Sequence, residues 1–316
     1  MKKTTLVIFT VLVVIVSANS ATCLERLDLM LDWFPNIDHL PVYVARDKGI
    51  FEEKGLKINI LSPSETSDPI KLAATEKIDI TIAYEPQVII AASKGIPLTA
   101  GARLIRHPLS TLLYMKDSGI EKPSDLEGKI IGYTVPGMMD LLFKAFAQKN
   151  GIEKFKMVNV GFSIVPSLVS GKVDAVMGPY KNYETVAMEL EGYPTGFFPV
   201  EEWGIPDYDE LVFITSRENS KKMRKELELF ALSIEQAVHL IHEKPGTCLD
   251  TFLRKIPERS RELESKAFYR TLDLYASDVR IDPEKWQKFA DFSLNTGLIE
   301  EHVDTKKLIS NWRDMK

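Results

Sequence analysis

The stretch LDWFPNIDHLPVYVARDKGIFEEKGL, residues 31–56, decides how the fold is read. It begins where the alternating apolar run Leu27, Leu29, Leu31 ends, a period that marks a half-buried strand. Asp32, Trp33, Asn36, Asp38 and His39 then crowd polar and aromatic groups into a few positions. Pro35 and Pro41 fix φ near −65°, and Pro41 suits the first turn of the helix suggested by Val42, Ala45 and Lys48. Gly49 and Gly55 punctuate the chain beyond that helix, and Leu56, Ile58 and Ile60 alternate as a second strand. A strand therefore delivers an indole, an amide, two carboxylates and an imidazole onto a turn before a helix. In open α/β sheets, ligands bind beyond the carboxyl ends of the strands, at turns of this kind.

Outward from this stretch the strand–helix rhythm continues. Strands are predicted at Lys57–Leu61, Ile78–Ala83, Leu98–Leu104 and Thr111–Met115, with helices at Pro41–Lys48, Asp68–Thr75 and Pro86–Ser93. A second series comes after Asp117-Ser118-Gly119. Its strands are Lys129–Tyr133, Lys156–Val160, Val173–Met177 and Thr195–Val200, with helices near Val165–Ser170 and Tyr180–Leu190. Leu211–Thr215 is one more strand. The rest is helical, with an apolar face through Met223, Leu227, Phe230, Ile234, Ala237 and Ile241 ended by Pro245, and another helix starting at Asp282-Pro283. Two α/β series joined by two crossings, near 114–118 and 208–215, predict two lobes with a ligand cleft between them. The expected division is 24–115 plus 209–316 for lobe I, including the helical tail, and 116–208 for lobe II.

At 316 residues the chain exceeds what one hydrophobic core usually spans. The formal net charge of −5 gives no electrostatic footing for nucleic acid or for an anionic membrane. Residues 1–22 differ from the rest: Lys2 and Lys3 precede the apolar run Leu6–Val16, followed by small residues Ser17, Ala18, Ser20 and Ala21. This is the pattern of a secretory signal peptide, with an uncleaved anchor as the alternative. Cys23 leaves three fates open: lipidation, removal, or a disulfide with Cys248, the one other cysteine.

Motifs for phosphate-cradling loops, dinucleotide binding, zincins and the nucleophile elbow are absent from the sequence. His239, His242 and Glu243 could seat a metal, but a solvated helix face is the better reading. No catalytic residue, metal or cofactor is called. More informative is Gly178-Pro179-Tyr180-Lys181-Asn182-Tyr183-Glu184, where Tyr180, Tyr183 and Glu184 would share one face of a helix. Such a face can stack a flat heterocycle and accept from its amine; equally, Glu184 could cap a helix at a packed lobe interface.

The pattern LDWxPNxxHxxxYVAxxKGxFxxxGL together with Asn182-Tyr183-Glu184 resembles the periplasmic-type binding proteins that deliver thiamin pyrimidine precursors to ABC transporters. That family includes the eukaryotic thiamin-pyrimidine synthases. The likeness runs from about Leu27 to Thr215 and takes in Asp79, Tyr84-Glu85-Pro86 and Gly132-Tyr133. It implies an α/β, type II-like periplasmic-binding-protein fold of two lobes. It also implies a monomer working with a cognate ABC permease and ATPase outside the cytoplasmic membrane. By resemblance, Trp33 and Tyr180 or Tyr183 would clamp the ring, with Asn36, Asp38 and His39 on the first wall and Glu184 and Asn182 on the second. Tyr84 and Glu85 would line the cleft from the third strand, opposite the Tyr133, Gly137 and Met138 loop.

Departures from the family pattern are Asp38 for Asn, Leu40-Pro41 for Thr-Gly, and Pro179 and Lys181 for Ala or Gly and Trp. The synthase branch implies a Lys and a His at the end of the third strand and a Cys-rich motif. Here that segment reads Ile82-Ala83-Tyr84-Glu85-Pro86-Gln87. Riboflavin, a sulfonate or another solute remains open as ligand, and so does an exported enzyme using Asp32 and Glu184 as acid and base.

Overall fold

The computed structural model describes residues 24–315; the segment 1–22, expected to be a signal peptide, and Cys23 lie outside them. Ten strands make two five-stranded sheets. The first takes β1 (Glu25–Met30), β2 (Leu56–Leu61), β3 (Ile80–Ala83), β4 (Leu98–Ile105) and β10 (Leu211–Ser216), ordered β2-β1-β3-β10-β4. The second takes β5 (Ser110–Met115), β6 (Ile130–Tyr133), β7 (Lys156–Asn159), β8 (Ala175–Tyr180) and β9 (Thr195–Pro199), ordered β7-β6-β8-β5-β9.

The two sheets repeat one design. β2, β1 and β3 run parallel, as do β7, β6 and β8. Beside each parallel trio lies the strand reached by a crossing between sheets, antiparallel to both neighbours: β10 between β3 and β4, β5 between β8 and β9. The parallel trios are near-continuous apolar runs where both faces are covered: all four residues of β3 are buried.

This topology corrects two expectations. The strand at Thr111–Met115, expected in lobe I within 24–115, belongs to the second sheet, so the first crossing falls at residues 106–109. Its pairing with both β8 and β9 leaves it no contact to spare for the first sheet. The second crossing runs through residues 200–210. The helix expected over Tyr180–Leu190 spans Glu184–Leu190, because Tyr180 completes β8.

The C-terminal helices pack on the first sheet. In Arg224–Glu243, Leu227, Phe230, Ile234, Ala237 and Ile241 are buried as the 3.6 period requires, and Phe230 stacks on Phe51 with centroids 5.5 Å apart. Pro245 opens the next helix, Pro245–Lys255, where its missing N–H costs nothing. Trp312 lies flat over Gly101 of β4, and a Cβ there would sit 1.8 Å from the indole. Cys248 is buried, and among the described residues it has no disulfide partner; Cys23, the one other cysteine, lies outside them. Among the described residues no helix is long and apolar enough to cross a membrane.

Candidate ligand site between the sheets

Four parallel strands, β1 and β3 of one sheet and β6 and β8 of the other, end at a common cleft. A pocket there encloses about 330 Å³ of atom-free space, the part open to solvent included. Asp32, Trp33, Asn36 and Tyr84 line one side; Thr134, Met139, Ile164, Gly178, Tyr180 and Glu184 line the other.

The first wall is a rigid turn. Asn36 caps the short helix Ile37–His39, its Oδ1 accepting from Asp38 N–H at 2.9 Å, while His39 Nδ1 accepts from Asn36 N–H at 3.3 Å. An accepting Nδ1 places the ring proton on Nε2, which donates to Asp32 Oδ1 at 2.9 Å. Tyr84 O–H donates to the other oxygen of Asp32 at 2.8 Å. Both oxygens of a buried carboxylate at the pocket wall are thus occupied, and burial with the Asp32 charge beside it pushes the Tyr84 hydroxyl well above its ordinary value.

The second wall turns on Glu184. One of its oxygens accepts from Tyr180 N–H at 2.7 Å, so it ties the end of β8 to the start of its helix and faces the pocket at once. Burial pushes its pKa up to about 7 against the opposing backbone hydrogen bond, with Asp32 and Glu264 adding like charge. The Tyr180 hydroxyl is buried without a hydrogen-bond partner. Gly178 has φ +116°, and a Cβ there would lie 2.2 Å from Thr134 Oγ1, so only glycine lets these two pocket residues meet. The indole of Trp33 meets Phe162, on the far side of the cleft, at 4.5 Å between centroids, and Phe34 meets the same ring at 4.4 Å.

Of the residues expected at the site, Trp33, Asn36, Tyr84, Tyr180 and Glu184 line the pocket. The other eight do not. His39 acts on Asp32 from behind. Asp38 and Asn182 bond each other across the cleft at 2.7 Å. Tyr183 donates to Glu264 Oε1 at 2.5 Å, away from any ligand position, because Tyr180, Tyr183 and Glu184 do not share a helical face. Glu85 clamps the second crossing, exchanging hydrogen bonds with the backbone of Asp209.

In the Tyr133–Met138 loop the register is displaced. Tyr133 packs against the core, Met138 is buried in it, and Gly137 is an exposed turn residue, while Thr134 and Met139 reach the pocket. Lys181, the added cation, pairs with Glu201 at 2.5 Å instead of facing the site. Sequence reasoning missed Thr134, Met139, Ile164 and Gly178 as lining, and Phe162 as rim. It placed Asp32 in the polar cluster of the first turn and in the enzymatic alternative, but not among the ligand-wall residues. A glycine directly after a buried strand marked Gly178; nothing distinguished Ile164 from core.

The family described as NMT1/THI5 like matches residues 36–248. A Haemophilus influenzae protein named for thiamine biosynthesis is 34% identical over 288 residues, 90% of this chain and 91% of that one. The formylaminopyrimidine-binding protein of Halalkalibacterium halodurans is 32% identical, covering 94% of this chain and 93% of its own. A Legionella pneumophila 4-amino-5-hydroxymethyl-2-methylpyrimidine phosphate synthase is 24% identical over 91% of this chain and 92% of its own. Among solved structures, the alkanesulfonate-binding protein of Xanthomonas axonopodis pv. citri bound to MOPS superposes with a TM-score of 0.73 at 16% identity, covering 91% and 98%. That likeness is one of fold, the periplasmic-binding-protein fold of two lobes about a cleft.

Proposed function

Because the chain belongs to the NMT1/THI5-like family, we propose that it is the extracytoplasmic binding component of an ABC importer. Its cleft captures a thiamin pyrimidine precursor of the hydroxymethyl or formylamino type and hands it to a cognate permease. The observation that carries this is a pocket with Trp33 and the anchored Asp32 on one wall and Tyr180 and Glu184 on the other. A flat ring fits between aromatic faces, and a carboxylate accepts from an exocyclic amine. No Lys or Arg is among the lining residues to recognise a sulfonate.

Each stacked aromatic pair adds about 0.5–1.5 kcal/mol beyond burial, and a hydrogen bond to the Glu184 carboxylate roughly 1.5–3 kcal/mol. With burial of the ring these approach the ~8 kcal/mol of micromolar capture in a preformed site. Relatives named as binding protein and as synthase both match, and the segment 82–87 holds neither the Lys nor the His that the synthase branch implies. Binding without turnover is therefore the activity proposed.

Calorimetric titration with 4-amino-5-hydroxymethyl-2-methylpyrimidine, its formylamino analogue, riboflavin and MOPS tests it, alongside a turnover assay. Tight binding of either pyrimidine with no product formed is expected. Preference for riboflavin or MOPS, or conversion of a pyrimidine, would replace this reading.

A further inference from the structure

Behind the pocket, two fully buried side chains meet from opposite sides of the cleft. Asp38 lies two residues beyond the pocket residue Asn36, and Asn182 lies two residues before Glu184. Asn182 Nδ2 donates to Asp38 Oδ1 at 2.7 Å and to Thr271 Oγ1 at 2.6 Å, so both amide protons are placed. Two atoms are left over, Asp38 Oδ2 and Asn182 Oδ1, both buried and both without a partner. With Asp38 ionised these are two acceptors and no donor. Leaving a buried polar atom unmatched is costly.

The surroundings supply no hydrogen to either atom. His39 donates to Asp32, Tyr275 O–H to Ile37 O at 2.6 Å, Tyr183 O–H to Glu264, and Thr271 O–H to Ala267 O at 2.8 Å. The Tyr180 hydroxyl makes no hydrogen bond to either. The other titratable groups facing Asp38, Glu184 and Glu264, bring like charge.

We propose that Asp38 and Asn182 are a proton-dependent positioning clasp between the lobes. In it Asn182 Nδ2–H donates to Asp38 Oδ1 and a protonated Asp38 Oδ2–H donates to Asn182 Oδ1, holding the Asn36 and Glu184 walls of the pocket in register. One proton turns two orphaned acceptors into a matched pair. Burial, opposed by His39 and by the Asn182 bond, pushes Asp38 up to about 7, which agrees with the proton being retained. The clasp goes beyond the ligand reading, since it depends on the cleft and not on what fills it.

The test uses the full chain as wild type, Asp38→Asn and Asp38→Ala, without added ligand. An amide at position 38 carries its own donor, so Asp38→Asn keeps both hydrogen bonds at every pH. For a carboxyl whose folded pKa is raised, the stabilisation is complete below the ordinary value, 3.8, and is lost as pH rises to the folded value of about 7. Denaturant unfolding from about pH 3.5 to about pH 7.5 should therefore show Asp38→Asn matching wild type at the acid end. Asp38→Asn should then gain on wild type by up to roughly tenfold in the unfolding constant per pH unit, levelling off near pH 7. Glu184 and Glu264 lose a neighbouring like charge in Asp38→Asn, which adds to the variant's gain at neutral pH in the same direction.

Asp38→Ala should be weaker than Asp38→Asn throughout, and the wild-type radius of gyration should grow with pH while that of Asp38→Asn stays constant. Parallel stability curves, an Asp38→Asn protein less stable than wild type at about pH 7.5, or a wild-type radius that ignores pH would each overturn the clasp. Failure to bind any pyrimidine would touch only the ligand reading.

Discussion

Glu184 is held on one side and free to act on the other. Its bond from Tyr180 N–H survives replacement by Gln, whose carbonyl oxygen also accepts, so Glu184→Gln should fold normally. What Gln cannot offer is a second acceptor toward the pocket. Affinity for an aminopyrimidine should fall by about 1.5–3 kcal/mol, read by titration calorimetry, and unchanged affinity would remove Glu184 from the ligand. Tyr183→Phe has the opposite profile. The hydroxyl serves Glu264, whose other oxygen already lacks a partner in a site where burial pushes the carboxyl up to about 7. The substitution should lower unfolding stability by about 1–3 kcal/mol and leave ligand affinity nearly intact.

The residue types at the site were legible in the sequence; their partners were not. Trp33, Asn36 and Tyr84 come directly from strand ends. The offset between Tyr183 and Glu184 depends on β8 continuing through Pro179 to Tyr180, where Thr111 O–H donates to Pro179 O at 2.8 Å. That is a contact between segments 68 positions apart, and no local period reports it.

At the scale of elements, a strand end and the turn after it fix where side chains point. β6 ends at Tyr133, which packs against the core, and the next residue, Thr134, turns to the cleft. The pattern located the loop and missed its register by one residue. It located every strand of both parallel trios, the central ones from apolar runs and β1 and β2 from alternation, signals that hold whatever a strand pairs with. It misassigned β5 for the same reason, since an apolar run does not say which sheet it joins.

Gly178 is where the element geometry is least forgiving. A methyl group there meets Thr134 Oγ1, and the φ of +116° is one that side chains rarely adopt. Gly178→Ala should cost about 1–3 kcal/mol in urea unfolding and also weaken ligand affinity, as Thr134 is driven toward the pocket. A variant that kept both would show that β8 can shift without disturbing the wall.

In the whole molecule, the two sheets are joined by two crossings and, in this structure, by contacts that reach across the cleft between them. Thr66 O–H donates to Thr134 O at 2.9 Å, Asn182 bonds Asp38, and Phe162 seats against Trp33 and Phe34 at the rim. Arg259 lies over the outer face of Phe34, 5.7 Å from its centroid. Phe162 belongs to the loop between β7 and the helix Ile164–Val169, so its two ring contacts cross the cleft. Contacts that bridge the cleft in this way are expected to act on ligand release more than on entry.

Each ring pair is worth about 0.5–1.5 kcal/mol, and 1.4 kcal/mol is a factor of ten. Phe162→Ala should therefore release a bound pyrimidine about tenfold faster, with an association rate close to wild type. Stopped-flow fluorescence of Trp33, the indole at the rim, reads both rates. Ligand at about 100 times its Kd should raise wild-type stability by about 2.7 kcal/mol, and the same concentration should do less for Phe162→Ala because its Kd is weaker. If Phe162→Ala slows association and leaves release untouched, the rim aromatics guide entry and the closing force must come from the polar contacts behind the pocket.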